Sequence, residues 1–138
     1  MLKKVFAVFS AVILIISMLF ISNAPIFSDF SNSYEVYLDD CSNSKAILNL
    51  NKTGFEMIFG KKGESVCIEK QTFNLHIFLV KMQANLIFSE EIDGKISYYA
   101  YSPKLKYMQT IRNQNVNLHI VVSKNSVKVG SPIIYGSF

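Results

Sequence analysis

At 138 residues, half of them apolar, the chain has material for one domain with a real core and too little for two. The formal charge of +4 includes Lys3 and Lys4; without those two, 12 basic side chains face 10 acidic ones, a mild +2 from residue 25 onward. So small an excess is no nucleic-acid footprint, and together with the export signal below it excludes DNA or RNA as a partner.

Lys3 and Lys4 precede an apolar run from Val5 to Ile21 that only Ser10 and Ser17 interrupt. A short positive region followed by an apolar stretch is an export signal, and the lysines hold the N-terminus in the cytoplasm. Residues 1–24 are therefore a signal peptide or an N-terminal membrane anchor. Ser22 and Ala24 suit cleavage after Ala24, but Pro25 follows and blocks the usual peptidase. A run of seventeen residues sits at the short limit for crossing a bilayer, so the balance tips to an uncleaved anchor, with cleavage still open. No cysteine directly follows the run, which excludes a lipoprotein. The rest of the chain is expected outside the cytoplasm, with residues 25–33 as a juxtamembrane linker and 34–138 as a single domain. Lysine supplies 13 of the 14 basic residues and Asn, Ile, Phe and Tyr are abundant, the usage of an AT-rich bacterial genome.

"SYEVYLDD" alternates, with Tyr34, Val36 and Leu38 on one face and Glu35, Tyr37 and Asp39 on the other, as a half-buried strand does. Cys41 follows in a turn, "KAILNLN" reads as a further strand, and "GFEMIFGKKGESVCIEK" reads as two strands around Gly60–Gly63. Cys41 and Cys67 would lie where disulfides persist. A bridge between them would add about 3 kcal/mol, and two unrelated thiols are the equal alternative. Without a C-x-x-C, thioredoxin-type chemistry has no support.

Residues 72–84 are predicted as a helix, capped by Thr72 and ended near Asn85. It carries two opposed apolar stripes: Phe73, Ile77, Val80 and Ala84, and Leu75, Leu79, Met82 and Leu86. A sheet covers only one side of a helix, so one stripe should be buried and the other open. "NLIFSEEI" and "KISYYAYS" form a hairpin around Asp93-Gly94, and "KLKYMQTI" runs on to the polar "RNQN". "VNLHIVVS" is the clearest strand, with Val116, Leu118, Ile120 and Val122 facing in; "VKVG" pairs back, and Pro132 suggests an edge or bulge. The class is α+β: one main helix packed on a curved antiparallel sheet, preceded by an N-terminal membrane segment.

Both histidines stand in similar phrases, "NLHIFLVK" at 74–81 and "NLHIVVSK" at 117–124. The likeness ends there, so it is coincidence rather than a repeat. Two histidines without H-x-x-x-H or H-E-x-x-H spacing make no zinc site, and His119 is expected as an ordinary exposed residue opposite Leu118 and Ile120. Neither His76 nor His119 has a local nucleophile or carboxylate pattern. Glu90, Glu91 and Asp93 at the hairpin, and Asp39-Asp40, read as solvated charges rather than a carboxylate pair or calcium ligands. No catalytic residue, metal or cofactor is assigned.

The one candidate binding surface is "SYYAYSPKLKY". Tyr99 and Tyr101 share a strand face, and Lys104, Lys106 and Tyr107 follow at once. An exposed aromatic and basic surface suits a glycan, a peptide or an anionic wall polymer. Ordinary strand chemistry weighs more, because tyrosine favours strands.

The helix running into "ANLIFSEE", then "ISYYAYSP", "VNLHIVVS" and "VGSPIIYGSF", resembles YwmB-type exported proteins of spore-forming Gram-positive bacteria over residues 72–138. The resemblance implies a TATA-box-binding-protein-like fold and a place in sporulation or envelope maintenance. DNA binding is not carried over, since export removes that substrate. The expectation is an extracytoplasmic, membrane-associated, non-enzymatic binding or assembly protein, with an envelope protein or wall polymer as partner. The alternative is a small wall hydrolase using an acidic or histidine site.

Overall fold

The computed structural model describes residues 2–22, 26, 27, 29, 30, 34–37, 46–48 and 61–135. Helix α1 spans Leu2–Ser22, about 31 Å at 1.5 Å per residue, close to the thickness of a hydrocarbon core. Lys3–Ile21 is long and apolar enough to cross a membrane by length and composition, and none of it is buried. Its two serines hide their hydroxyls: Ser10 donates to the Phe6 carbonyl at 3.0 Å and Ser17 to that of Ile13 at 2.8 Å.

The strands are β1 (Tyr34–Tyr37), β2 (Ala46–Leu48), β3 (Gly63–Glu69), β4 (Asn85–Ile92), β5 (Lys95–Tyr101), β6 (Gln109–Ile111), β7 (Gln114–Val116), β8 (Leu118–Val122) and β9 (Ser126–Ser131). A 3-10 turn at Lys70–Thr72 leads from β3 to helix α2, Leu75–Met82. Seven strands form one antiparallel sheet in the order β2-β1-β3-β9-β8-β5-β4, while β6 and β7 pair as a separate ribbon. The α+β class expected from the sequence is the one observed. The chain crosses from β3 to the far edge through α2, then returns by two hairpins to close against β3.

Alternation sends Val66, Leu118, Ile120, Val127 and Val129 to the inner face, each at most 1 % exposed, where Phe78 and Met82 of α2 cover them. The helix is shorter than expected. Asn74 rather than Thr72 caps it, its side chain accepting from Ile77 N at 3.0 Å, and Gln83 in the left-handed region ends it before Asn85. The stripe of Leu75, Leu79 and Met82, joined by Phe78, faces the sheet; Ile77 and Val80 stand in solvent.

Turn chemistry sets both hairpin tips. Asp93 and Gly94 adopt positive φ of 52° and 70°, as a two-residue primed turn requires. Arg112 and Asn113 do the same at 52° and 60°, turning β6 into β7 where the sequence suggested only a polar break. The expectation for Pro132 also needs correction. Strand β9 is interior, between β3 and β8, and Pro132 lies just beyond it, where the chain folds back over the sheet. A Cβ on Gly130 would come within 2.7 Å of Ile134, so this position must be glycine for residues 132–135 to lie so close.

Candidate functional site

The outer face of the sheet, opposite α2, gathers the polar and aromatic side chains. In β4 the register shifts between Leu86 and Phe88, so Phe88 rather than Ile87 falls opposite Tyr99. Tyr99 pairs in turn with His119 of β8. The result is a ladder across three strands: Phe88 stacks on Tyr99 at 4.4 Å and Tyr99 on His119 at 4.4 Å, with planes 21° and 10° apart. Arg112, at the tip of the β6–β7 ribbon, lies 4.7 Å over the Phe88 ring and pairs with Glu90 Oε2 at 2.5 Å. The Tyr99 hydroxyl donates to Glu90 Oε1 at 2.7 Å.

His119 is buried, contrary to the expectation of an exposed histidine. It does lie opposite Leu118 and Ile120, but the chain after β9 covers that side, and Ile134 N donates to His119 Nδ1 at 3.2 Å. Burial pushes its pKa down to about 4, against a smaller upward pull from Glu90. The imidazole is therefore neutral near pH 7. Tyr99 is pushed up to about 12, first by burial and then by its hydrogen bond to Glu90 and that carboxylate's charge. Further along the same face Tyr37 donates to Ser65 Oγ at 2.7 Å, and Ser65 to Glu35 Oε2 at 3.0 Å, where Lys128 also binds at 3.0 Å. Tyr135 closes edge-on over the Tyr37 ring at 5.0 Å and accepts from Gln109 Nε2 at 2.8 Å.

Directed contacts run through this layer at Glu90 and at His119 Nδ1. Glu90 has one oxygen on a phenol and the other on a guanidinium, and His119 is held neutral against a ring. Such pairing fixes the strands' covering segments. Among the described residues, no group of three or more His, Cys, Asp or Glu could hold a metal ion.

The five residues of the candidate binding surface do not converge. Both faces of the Tyr99 ring are occupied, so it offers no open platform. Tyr101 is exposed at the end of β5, opposite Asn85. Lys104 donates to the Lys81 carbonyl at 2.8 Å, at the negative end of α2. Lys106 lies 5.6 Å over the Tyr107 ring, and Tyr107 has its pKa raised by burial and by the charge of Glu64. Cys67 is exposed on β3 beside Lys128, while Cys41, like Asp39-Asp40, lies outside the described residues. His76 is exposed on α2, Glu91 is exposed near the hairpin tip, and Asp93 forms the tip itself. The outer layer was missed because Phe88, Arg112 and His119 meet only through a bulge and a turn; the Arg-Asn pair between "QTI" and "QNV" was its one local signal.

A second feature joins the residues after α1 to the domain. Glu64 Oε1 accepts from Ile26 N at 2.7 Å and from Phe27 N at 3.1 Å, and its other oxygen pairs with Lys61 at 2.6 Å. Both side chains of that pair are at most 3 % exposed. Phe27 is fully buried against Phe78, and Phe30 packs on the same ring at 4.9 Å. A groove of about 250 Å³ lies between Phe30 and α2, lined by Phe73, Asn74, Ile77 and Lys81 among others.

Comparison of the chain with protein-family models, with curated proteins and with solved structures finds no match.

Proposed function

We propose that the protein is a membrane-tethered, extracytoplasmic binding or assembly protein of a bacterial envelope, without catalytic activity of its own. The observation that carries this reading is the uncovered surface of α1. Phe6, Met18 and Ile21 are 71 %, 70 % and 77 % exposed. A helix of this length and composition suits a bilayer, which would cover that surface. Lys3 and Lys4 ahead of it favour an N-in, C-out orientation. The resemblance to YwmB-type exported proteins adds sporulation or envelope maintenance to the proposal. A wall hydrolase is the weaker reading, because Glu90 is fully engaged by Tyr99 and Arg112 and His119 is covered.

The test is a topology reporter fused after Phe138, with alkaline extraction of membranes in parallel. Activity only outside the cytoplasm, and retention in the extracted membrane, are expected. Reporter activity inside the cell would overturn the orientation. A mature mass beginning at Pro25 would replace the anchor with a cleaved signal.

A further inference from the structure

We propose that the outward side of α2, bearing Ile77 and Val80, rests against the outer surface of the bilayer that α1 crosses. This rests on α1 being a retained anchor, and it concerns where the domain sits on that anchor.

The first step is the length of the tether. Helix α1 ends at Ser22, and by Ile26 the backbone is already held on the Glu64 carboxylate. Four residue steps, fully extended, span at most about 14 Å. The headgroup layer on each side of a bilayer is itself roughly 5–8 Å deep. Ile26 therefore stays within or just above that layer, and the side of the domain that carries it faces the lipid.

The second step is what lies on that side. Phe27 and Phe30 both pack on Phe78 of α2, and the Lys81 ammonium sits 4.3 Å over the Phe30 ring. The helix next to the tether is thus the one with an open stripe. Ile77 and Val80 are 64 % and 63 % exposed, one turn apart, beside the groove that runs between α2 and Phe30. Lys81, half-exposed and 3.7 Å from the exposed Asp29 carboxylate, lays its methylenes along the apolar patch and sets both charges at the level of the headgroups. So small a patch would not recruit a free protein. On a domain already held at the surface by α1, the local concentration of lipid is high and weak contacts suffice. A second copy of the chain is the competing cover, but it would have to be reached across the same short tether.

The chain contains no tryptophan, so one substitution supplies a single reporter. The full chain carrying Ile77→Trp, Val80→Trp or Ile92→Trp is reconstituted into vesicles of phosphatidylcholine and phosphatidylglycerol with brominated acyl chains. Ile92 is 55 % exposed on the opposite face of the sheet, so it is the control. Several-fold stronger quenching and a blue-shifted emission are expected for the two α2 variants relative to I92W. Equal quenching in all three overturns the proposal. So does a blue shift that grows with protein density without quenching, since a second copy would then cover the patch. Vesicle flotation after carbonate treatment separates the two readings. A chain that fails to float sinks the anchor and this inference together; one that floats with I77W unquenched sinks only the inference.

Discussion

The two faces of the sheet bury different chemistry from the same strands. In β8, Leu118 and Ile120 turn inward and are fully buried under α2, while His119 between them turns outward and is buried just as surely at 4 % exposure. The inner face is covered by α2 together with Phe27 and Phe30 through aliphatic and aromatic packing, which asks mainly for the right volume, with buried Glu64 and its Lys61 partner as the charged exception. The outer face is covered by pieces, the β6–β7 ribbon and residues 132–135, and each is fastened by a directed contact. Arg112 reaches Glu90, Gln109 reaches Tyr135, and Ile134 N reaches His119. Burial there depends on pairing, because an unpaired polar group in that layer costs more than the pair contributes. Substitutions among the apolar residues inside should therefore act through lost volume at any pH. Substitutions outside should act through lost partners and protonation.

The largest effect is expected at the centre of the inner face. Phe78 meets Phe27, Phe30 and Phe73, so Phe78→Ala opens a cavity among three rings. Loss of about 3–5 kcal/mol of unfolding free energy is expected in denaturant titration, with no added pH dependence. Ile77→Ala, one residue away on the open side, should change it by no more than about 0.5 kcal/mol. Similar losses at both positions would mean that α2 is covered on both sides.

How far the sequence reveals this division depends on the range of the signal. The phrase N-L-H-I occurs twice, and while its leucine packs on the core both times, the other three residues behave differently. Asn74 caps a helix, whereas Asn117 clamps a loop, donating to the carbonyls of Ser102 and Leu105. His76 is exposed and His119 buried; Ile77 is exposed and Ile120 buried. Local pattern reads the Asp93-Gly94 turn and most of the strand in "VNLHIVVS", whose Val116 falls in β7; of the two stripes only the middle residues divide as drawn, since Phe73 and Ala84 pack on the core and Leu86 is exposed. Which stripe faces inward is decided by Phe78, which belongs to neither, and by Phe27 and Phe30 arriving from the segment after α1. The outer layer was illegible for the same reason. A one-residue shift in β4 selects Phe88, and the chain beyond β9 turns an expected surface histidine into a covered one.

The histidine gives the next largest effect and separates the faces most sharply. His119 has a folded pKa of about 4, below the ordinary value of 6.5. Between those values the unfolded chain binds a proton that the folded chain does not, so stability is full above about pH 6.5 and falls as pH drops toward 4. A shift of that size corresponds to roughly 3 kcal/mol at most. Protonation would also turn Nδ1 from an acceptor into a donor facing the Ile134 N–H. The check is unfolding free energy at pH 7 and pH 4 for the parent chain and His119→Gln, since the difference removes the carboxylates common to both. Gln keeps an acceptor without titrating, so the variant should lose markedly less on acidification. Equal losses would place the acid sensitivity elsewhere.

The smallest effect tests whether the outer layer works by pairing or merely by stacking. Tyr99→Phe keeps the ring between Phe88 and His119 and removes only the hydroxyl that donates to Glu90. Glu90 retains Arg112, an ion pair whose guanidinium is largely in solvent, so the carboxylate is not stranded. The expected cost is therefore that of one hydrogen bond on a part-buried site, about 1 kcal/mol. Two further variants say what the number means. If the hydroxyl acts through Glu90, then Glu90→Gln should reduce the cost of Tyr99→Phe, and the double-mutant cycle should show coupling. If Tyr99→Phe is neutral in both backgrounds, the ladder is held by ring contact alone. The outer face would then obey the same rule of volume as the inner one, and the contrast between them would rest on His119.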